Sequence, residues 1–200
     1  MNILAIGAHP DAIDLYRDTL INYNNFTVVT TTKMTNGPFA NEILGLSTFE
    51  MAGYGNVKEV VEDYTETLFG KGGTIITSTY SQKVGNAFYL YQQSGADWVK
   101  GQIYESAYNN LLTFAKPTNL AKFLDAEKYA LNNGVYNYDG TIDYNGQTLN
   151  NITLSMDGGN VTILAYYDLA FGTMTLNVEV KYEIKKVNDT EEISYPTTLN

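Results

Sequence analysis

Alternation of apolar and polar residues with a period of two runs through most of the chain and is clearest near its end. Leu176, Val178, Val180, Tyr182 and Ile184 alternate there with Asn177, Glu179, Lys181, Glu183 and Lys185. A strand with this pattern, predicted over Met174 to Lys186, has one dry face and one wet face. The same period predicts a strand over Phe26 to Thr35, with Phe26, Val28, Thr30, Thr32 and Met34 on one side. Further strands are expected at Thr74 to Lys83, Ala87 to Gln93 and Trp98 to Gly101, separated by turns at Val84-Gly85-Asn86 and at Ser94 to Asp97. Four more follow at Lys128 to Asn132, Gly134 to Asp143, Asn151 to Met156 and Val161 to Leu169, and Asp157-Gly158-Gly159-Asn160 is a strong hairpin signal. Residues 36 to 56 carry no clear period beyond a candidate strand at Leu46 to Met51. Val57 to Leu68 is compatible with either helix or strand, and its Thr and Tyr favour strand.

Helical spacing occurs in three places. Asp11 to Tyr23 places Ile13, Tyr16, Leu20 and Tyr23 on one stripe, with Pro10 suited to the first turn and Asp11 and Asp14 near the positive end of the dipole. Ser106 to Ala115 and Thr118 to Leu124 break the alternation on either side of Pro117, and Ser106 and Thr118 are candidate caps. A sheet with one apolar face needs a covering layer, and these helices are the only candidates. The expected fold is therefore α+β: a curved antiparallel β-sheet, or half-barrel, with one N-terminal helix and short central helices covering the concave face.

Composition narrows the partners. Two hundred residues suit one domain with a substantial core. A net charge of -10, with only 12 Lys and Arg spread along the chain, argues against nucleic acid and anionic membrane surfaces. The 17 Tyr fit a pleated, half-exposed surface, and the absence of Cys removes disulfides, thiolate metal sites and cysteine nucleophiles. Met1 to Ala8 has no basic region and too short an apolar core for a signal peptide, and no run approaches the length of a membrane span.

Two stretches suggest chemistry. Met1 to Asp11 resembles the opening of the PIG-L-like N-acetylglucosaminyl deacetylases, whose loop reads A-H-P-D-D and supplies zinc and catalytic groups. Here Ala12 stands in place of the second Asp, and His9 is the single histidine. A hydrolytic zinc site needs about three protein ligands, so neither zinc nor deacetylase activity is expected. Residues 1 to 10 are then a leader or an extra strand around Ile3 to Ile6, and 11 to 200 form the domain. Gly70-Lys71-Gly72-Gly73 lacks P-loop spacing and is expected to be a turn. The sole imidazole gives a Ser-His-Asp arrangement little support, and no enzyme activity and no cofactor are expected.

From residue 11 onwards the order of elements resembles the LppX/LprG/LolA-like envelope lipoprotein superfamily. The resemblance is carried by Phe88-Tyr89-Leu90-Tyr91, then Ala96-Asp97-Trp98-Val99-Lys100, Leu120 to Leu124 leading into Gly134-Val135-Tyr136, Ile152 to Met156, and Tyr182 to Pro196. It implies a bacterial envelope or extracellular protein carrying a lipid or other apolar ligand between sheet and helices. The lipobox cysteine of that family is missing from this sequence, so membrane attachment would require an anchor outside it. Phe88, Leu90, Val178 and Val180 are the candidate cavity-lining residues, with plain core packing as the alternative for each. Trp98, beside Asp97 and Lys100, is a candidate clamp at the cavity mouth, with a packing anchor as its alternative. A monomer is expected. The competing expectation is an interaction module of the same fold whose inner space is filled by its own side chains, and an enzyme related to the deacetylase-like opening comes third.

Overall fold

The computed structural model describes residues 10–111, 117–144 and 146–198. His9 and the strand expected at Ile3 to Ile6 lie outside them. The first helix, α1 (Pro10–Tyr23), carries Asp11 in its first turn. It ends at Asn24, whose φ of 48° is left-handed, a conformation that Asn tolerates better than most residues. Six strands follow: β1 (Asn25–Met34), β2 (Ile43–Ala52), β3 (Val57–Asp63), β4 (Ile75–Val84), β5 (Ala87–Ser94) and β6 (Asp97–Ile103), with a single helical turn, α2 (Thr65–Leu68), between β3 and β4. Next come α3 (Glu105–Leu111) and α4 (Pro117–Leu120), the latter running into a 3-10 turn at Ala121–Phe123. The last six strands are β7 (Tyr129–Asn132), β8 (Val135–Tyr138), β9 (Ile142–Tyr144), β10 (Gln147–Asp157), β11 (Asn160–Phe171) and β12 (Met174–Lys185).

Eleven of these strands form one continuous path, β6-β5-β4-β3-β2-β1-β12-β11-β10-β8-β7, and β9 pairs with β10 off that path. Every pairing is antiparallel. The sheet is thus two meanders that run outwards from the middle, joined where β1 pairs with β12 from Thr27↔Lys185 to Met34↔Val178. It is curved and open. Gly158 and Gly159 both have positive φ in the turn closed by Asp157↔Asn160, the geometry that a two-residue hairpin of the I′ type requires.

The inner face holds the core. Leu176, Val178, Val180, Tyr182 and Ile184 of β12 are buried with Val161, Ile163 and Ala165 of β11 and Phe26 and Val28 of β1. Helix α1 lays Ile13, Tyr16 and Leu20 onto this surface, and the Tyr16 hydroxyl donates to the Ile184 carbonyl at 3.2 Å. Phe123 packs 5.0 Å from Tyr144 and 5.5 Å from Tyr182, ring centre to ring centre. On the outer face the chain after β12 forms a strap. The Asn188 amide donates to the Asn25 carbonyl, and the Thr190 amide to Asn25 Oδ1. Further along, the Tyr195 ring stacks 5.3 Å from Tyr91 and its hydroxyl donates to Asn56 Oδ1 at 3.1 Å.

Several boundaries differ from the sequence expectation for local reasons. The strand expected at Gly134 to Asp143 is two strands, because Gly140, at φ 113°, turns the chain between β8 and β9. Strand β10 begins at Gln147, ahead of the expected Asn151. A bulge between Asn150 and Thr153, with Asn151 at φ 48°, lets Leu149 and Ile152 both face inwards although they are three apart. The end of the Val57 to Leu68 stretch is the helical turn α2, not strand. Helices α3 and α4 each start one residue early, so Ser106 and Thr118 sit inside their first turns instead of capping them. The expected continuation of α3 to Ala115 lies outside the described residues.

Leu20 is 0% exposed and Leu15, on the other side of α1, is 49% exposed. Leu20→Ala should therefore cost about 2–5 kcal/mol in urea unfolding, and Leu15→Ala less than about 0.5 kcal/mol. The Tyr136 hydroxyl is buried with no hydrogen-bond partner among the described residues. Tyr136→Phe should leave stability unchanged or raise it by up to about 1 kcal/mol in the same assay, because an unpaired buried hydroxyl is a cost.

Candidate functional site

Short inner-face side chains leave space in the middle of the sheet. In β1, Thr30 and Thr32 follow Phe26 and Val28 on the inner side, and in β2 their partners in register are Ser47 and Gly45. Large aromatic and aliphatic residues flank this patch, while hydroxyl groups and a glycine occupy its centre. The β9–β10 hairpin brings Tyr144, Gln147 and Leu149 to the opposite wall. Between them lies a cleft of about 350 Å³, open to solvent on one side. Its apolar lining comes mainly from Val28, Phe49, Val61, Leu149 and Val180, and Thr30, Thr32 and Ser47 add hydroxyls.

One ionisable group of another kind lines the cleft. Glu59 of β3 sits in register between Phe49 of β2 and Thr79 of β4, and burial pushes its carboxyl above the ordinary range. The other titratable lining groups are the phenols of Tyr144, Tyr167 and Tyr182. Burial raises the Tyr167 and Tyr182 hydroxyls further, which keeps both neutral across the physiological range. Among the described residues no cluster of acidic, His or Cys side chains is arranged to hold a metal ion.

The sequence candidates are dispersed. Val180 lines the cleft. Val178, two residues earlier on the same face, is fully buried in register with Met34 and Tyr167. Phe88 is 3% exposed and stacks on Tyr108 of α3 at 4.9 Å, under a lid made by that helix. Gly55, at φ 96°, closes this corner: its amide donates to the Tyr108 hydroxyl, and a Cβ there would run into Lys83. Leu90 also faces inwards but is in register with Ser81 and Gly101, two strands away from the cleft wall. Trp98 is on the outer face, edge-on to Tyr80 at 5.3 Å, so it cannot clamp anything in this cleft. Lys100 on the same side donates to Gln82 Oε1 at 2.7 Å and lies over the Tyr89 and Tyr91 rings.

Thr30, Thr32, Gly45, Ser47 and Glu59 also line the cleft, and apolarity alone does not identify them. For Thr30 and Thr32 the signal is in the sequence, as polar residues on the face that also carries Phe26 and Val28, whereas Gly45, Ser47 and Glu59 take their face from the pairing of β1, β2 and β3. Such residues mark where a core is left unfilled.

No protein-family profile and no curated protein matches the chain. Among solved structures, the crystal structure of LprF from Mycobacterium bovis is similar over 98% of this chain and 100% of that one, at 12% identity and a TM-score of 0.32. A likeness at that level assigns neither family nor function, and the fold description rests on the sheet itself.

Because Glu59 holds its proton to a higher pH in the folded protein than in the unfolded chain, rising pH removes stability through this group. The loss starts near the ordinary value of 4.5 and ends once the carboxyl is ionised in both states. The raised phenols of Tyr167 and Tyr182, which line the same cleft, titrate far above this window. Chemical denaturation across mildly acidic pH should thus show wild type losing stability relative to Glu59→Gln as pH rises, and a constant difference between the two would refute the assignment.

Proposed function

We propose that this protein binds a lipid or other apolar small molecule in the cleft between the inner face of the sheet and the β9–β10 hairpin, without catalysing a reaction. The observation that carries this reading is the cleft itself. Its volume of about 350 Å³ lies within the range of small-molecule sites, roughly 300–1,000 Å³, and most of its wall is aliphatic or aromatic. A flexible apolar ligand would supply the dispersion contacts that Thr30, Thr32, Gly45 and Ser47 are too short to make, and hydrophobic burial would drive uptake. The unfilled centre also favours a carrier over an interaction module packed solid by its own side chains. A bacterial envelope or extracellular setting and a monomeric state belong to the same proposal.

The test is displacement of an environment-sensitive apolar dye by unlabelled alcohols and lipids, on wild type and on Ser47→Phe. Ser47 faces Thr30 and Val61 across the strands, so a phenyl group there fills the cleft. Dye binding should fall by at least about tenfold in Ser47→Phe with the melting temperature retained, while Trp98→Ala on the outer face leaves it unchanged. Equal dye binding by wild type and Ser47→Phe would place the apolar site elsewhere.

A further inference from the structure

Glu59 lies inside the cleft without an ion pair, whereas the charged pairs of the sheet lie on its outer face. On the outer face Lys33 meets Glu179 at 3.0 Å, Lys58 meets Glu50 at 3.0 Å, and Lys181 and Lys185 hold Glu183 at 3.2 and 3.3 Å. Lys58 is next to Glu59 in sequence but points to the opposite face, where it is already paired. Inside, the in-register neighbours of Glu59 are Phe49 and Thr79, and its same-side neighbours on β3 are Val57 and Val61. No Lys or Arg lines the cleft, and Glu59 has no ion pair among the described residues.

We infer that the ligand of this cleft is a cationic amphiphile, with its apolar chain along Val28, Phe49, Leu149 and Val180 and its ammonium group at Glu59. The inference rests on the reading of the cleft as an apolar-ligand site and specifies the head group. An isolated carboxylate in apolar surroundings is costly for the empty protein, and a cation from the ligand is the group that offsets the cost. An anionic head group would meet a carboxylate, no cation and the field of a chain carrying a net charge of -10. A neutral head group would find hydroxyls at Thr30, Thr32 and Ser47 but would leave Glu59 unmatched. Burial already holds the carboxyl above its ordinary pKa, and a bound ammonium would restore its ionisation by direct attraction.

The experiment compares decylammonium, decanol and decanoate by isothermal titration calorimetry at neutral pH and low salt, each below its micellar concentration, on wild type and Glu59→Gln. Decylammonium should bind wild type at least about tenfold more tightly than decanol, and decanoate more weakly than either. Glu59→Gln should bring the ammonium down to the level that the alcohol shows on the same variant. Decanol binding with no advantage for the ammonium, or an advantage that survives Glu59→Gln, overturns the head-group inference and leaves the apolar-site reading standing. Failure of all three ligands to bind overturns both. The wild-type comparison is decisive even if Glu59→Gln does not fold.

Discussion

The pairing of the first strand with the last is the interaction on which the rest of the molecule depends. From Thr27↔Lys185 to Met34↔Val178 the two strands form the seam between the meanders. Without it there are two open sheets, each with a bare apolar face at a new edge. Helix α1, chained directly to β1, is positioned by this seam, because Tyr16 reaches across to the Ile184 carbonyl on β12. The strap is anchored from the same place, through Asn25 at the start of β1. A seam between strands so distant in sequence carries a high loop-closure cost, so the core cannot be completed until β12 is available. Folding is expected to be slow relative to a protein of similar size built from local contacts.

The same seam decides where the cleft lies. Beside it, β12 contributes Val180 and Tyr182, which are large, while β1 and β2 contribute Thr30, Thr32, Ser47 and Gly45, which are not. Helix α1 and the α4 region cover one part of the inner face and α3 closes another by laying Tyr108 on Phe88, so the short side chains fall in the interval between two filled regions. The cost of the interval is lost packing, and a carboxylate placed in it adds to that cost.

Much of the architecture was legible because period-two alternation is a strong signal wherever one face is dry. The one-sided burial of β12, the Asp157 to Asn160 hairpin and the extent of α1 follow directly from residue pattern and turn chemistry. Reading failed where a local device interrupts the period: Gly140 splitting β8 from β9, the bulge at Asn150 to Thr153, and the single turn α2 after β3. The cleft was less legible. Apolarity identifies the inner face but does not distinguish a filled position from a lining one, and that difference depends on which helix lies above. Phe88 and Val180 look equivalent in sequence, yet α3 packs over the first and no described residue fills the space beside the second. Residue type and neighbouring charges do not reveal the place of Trp98, because its face is set by the register of β5 and β6.

The outer-face position of Trp98 also determines what light can report. It is the single tryptophan, edge-on to Tyr80, and Tyr80 in turn lies 6.5 Å from Tyr195 of the strap. Intrinsic emission from this protein is therefore a gauge of whether the strap is docked, with neighbouring tyrosines as energy donors, and the sheet separates it from the cleft. A spectroscopist following tryptophan alone would record the attachment of the tail and see little of what enters the inner face.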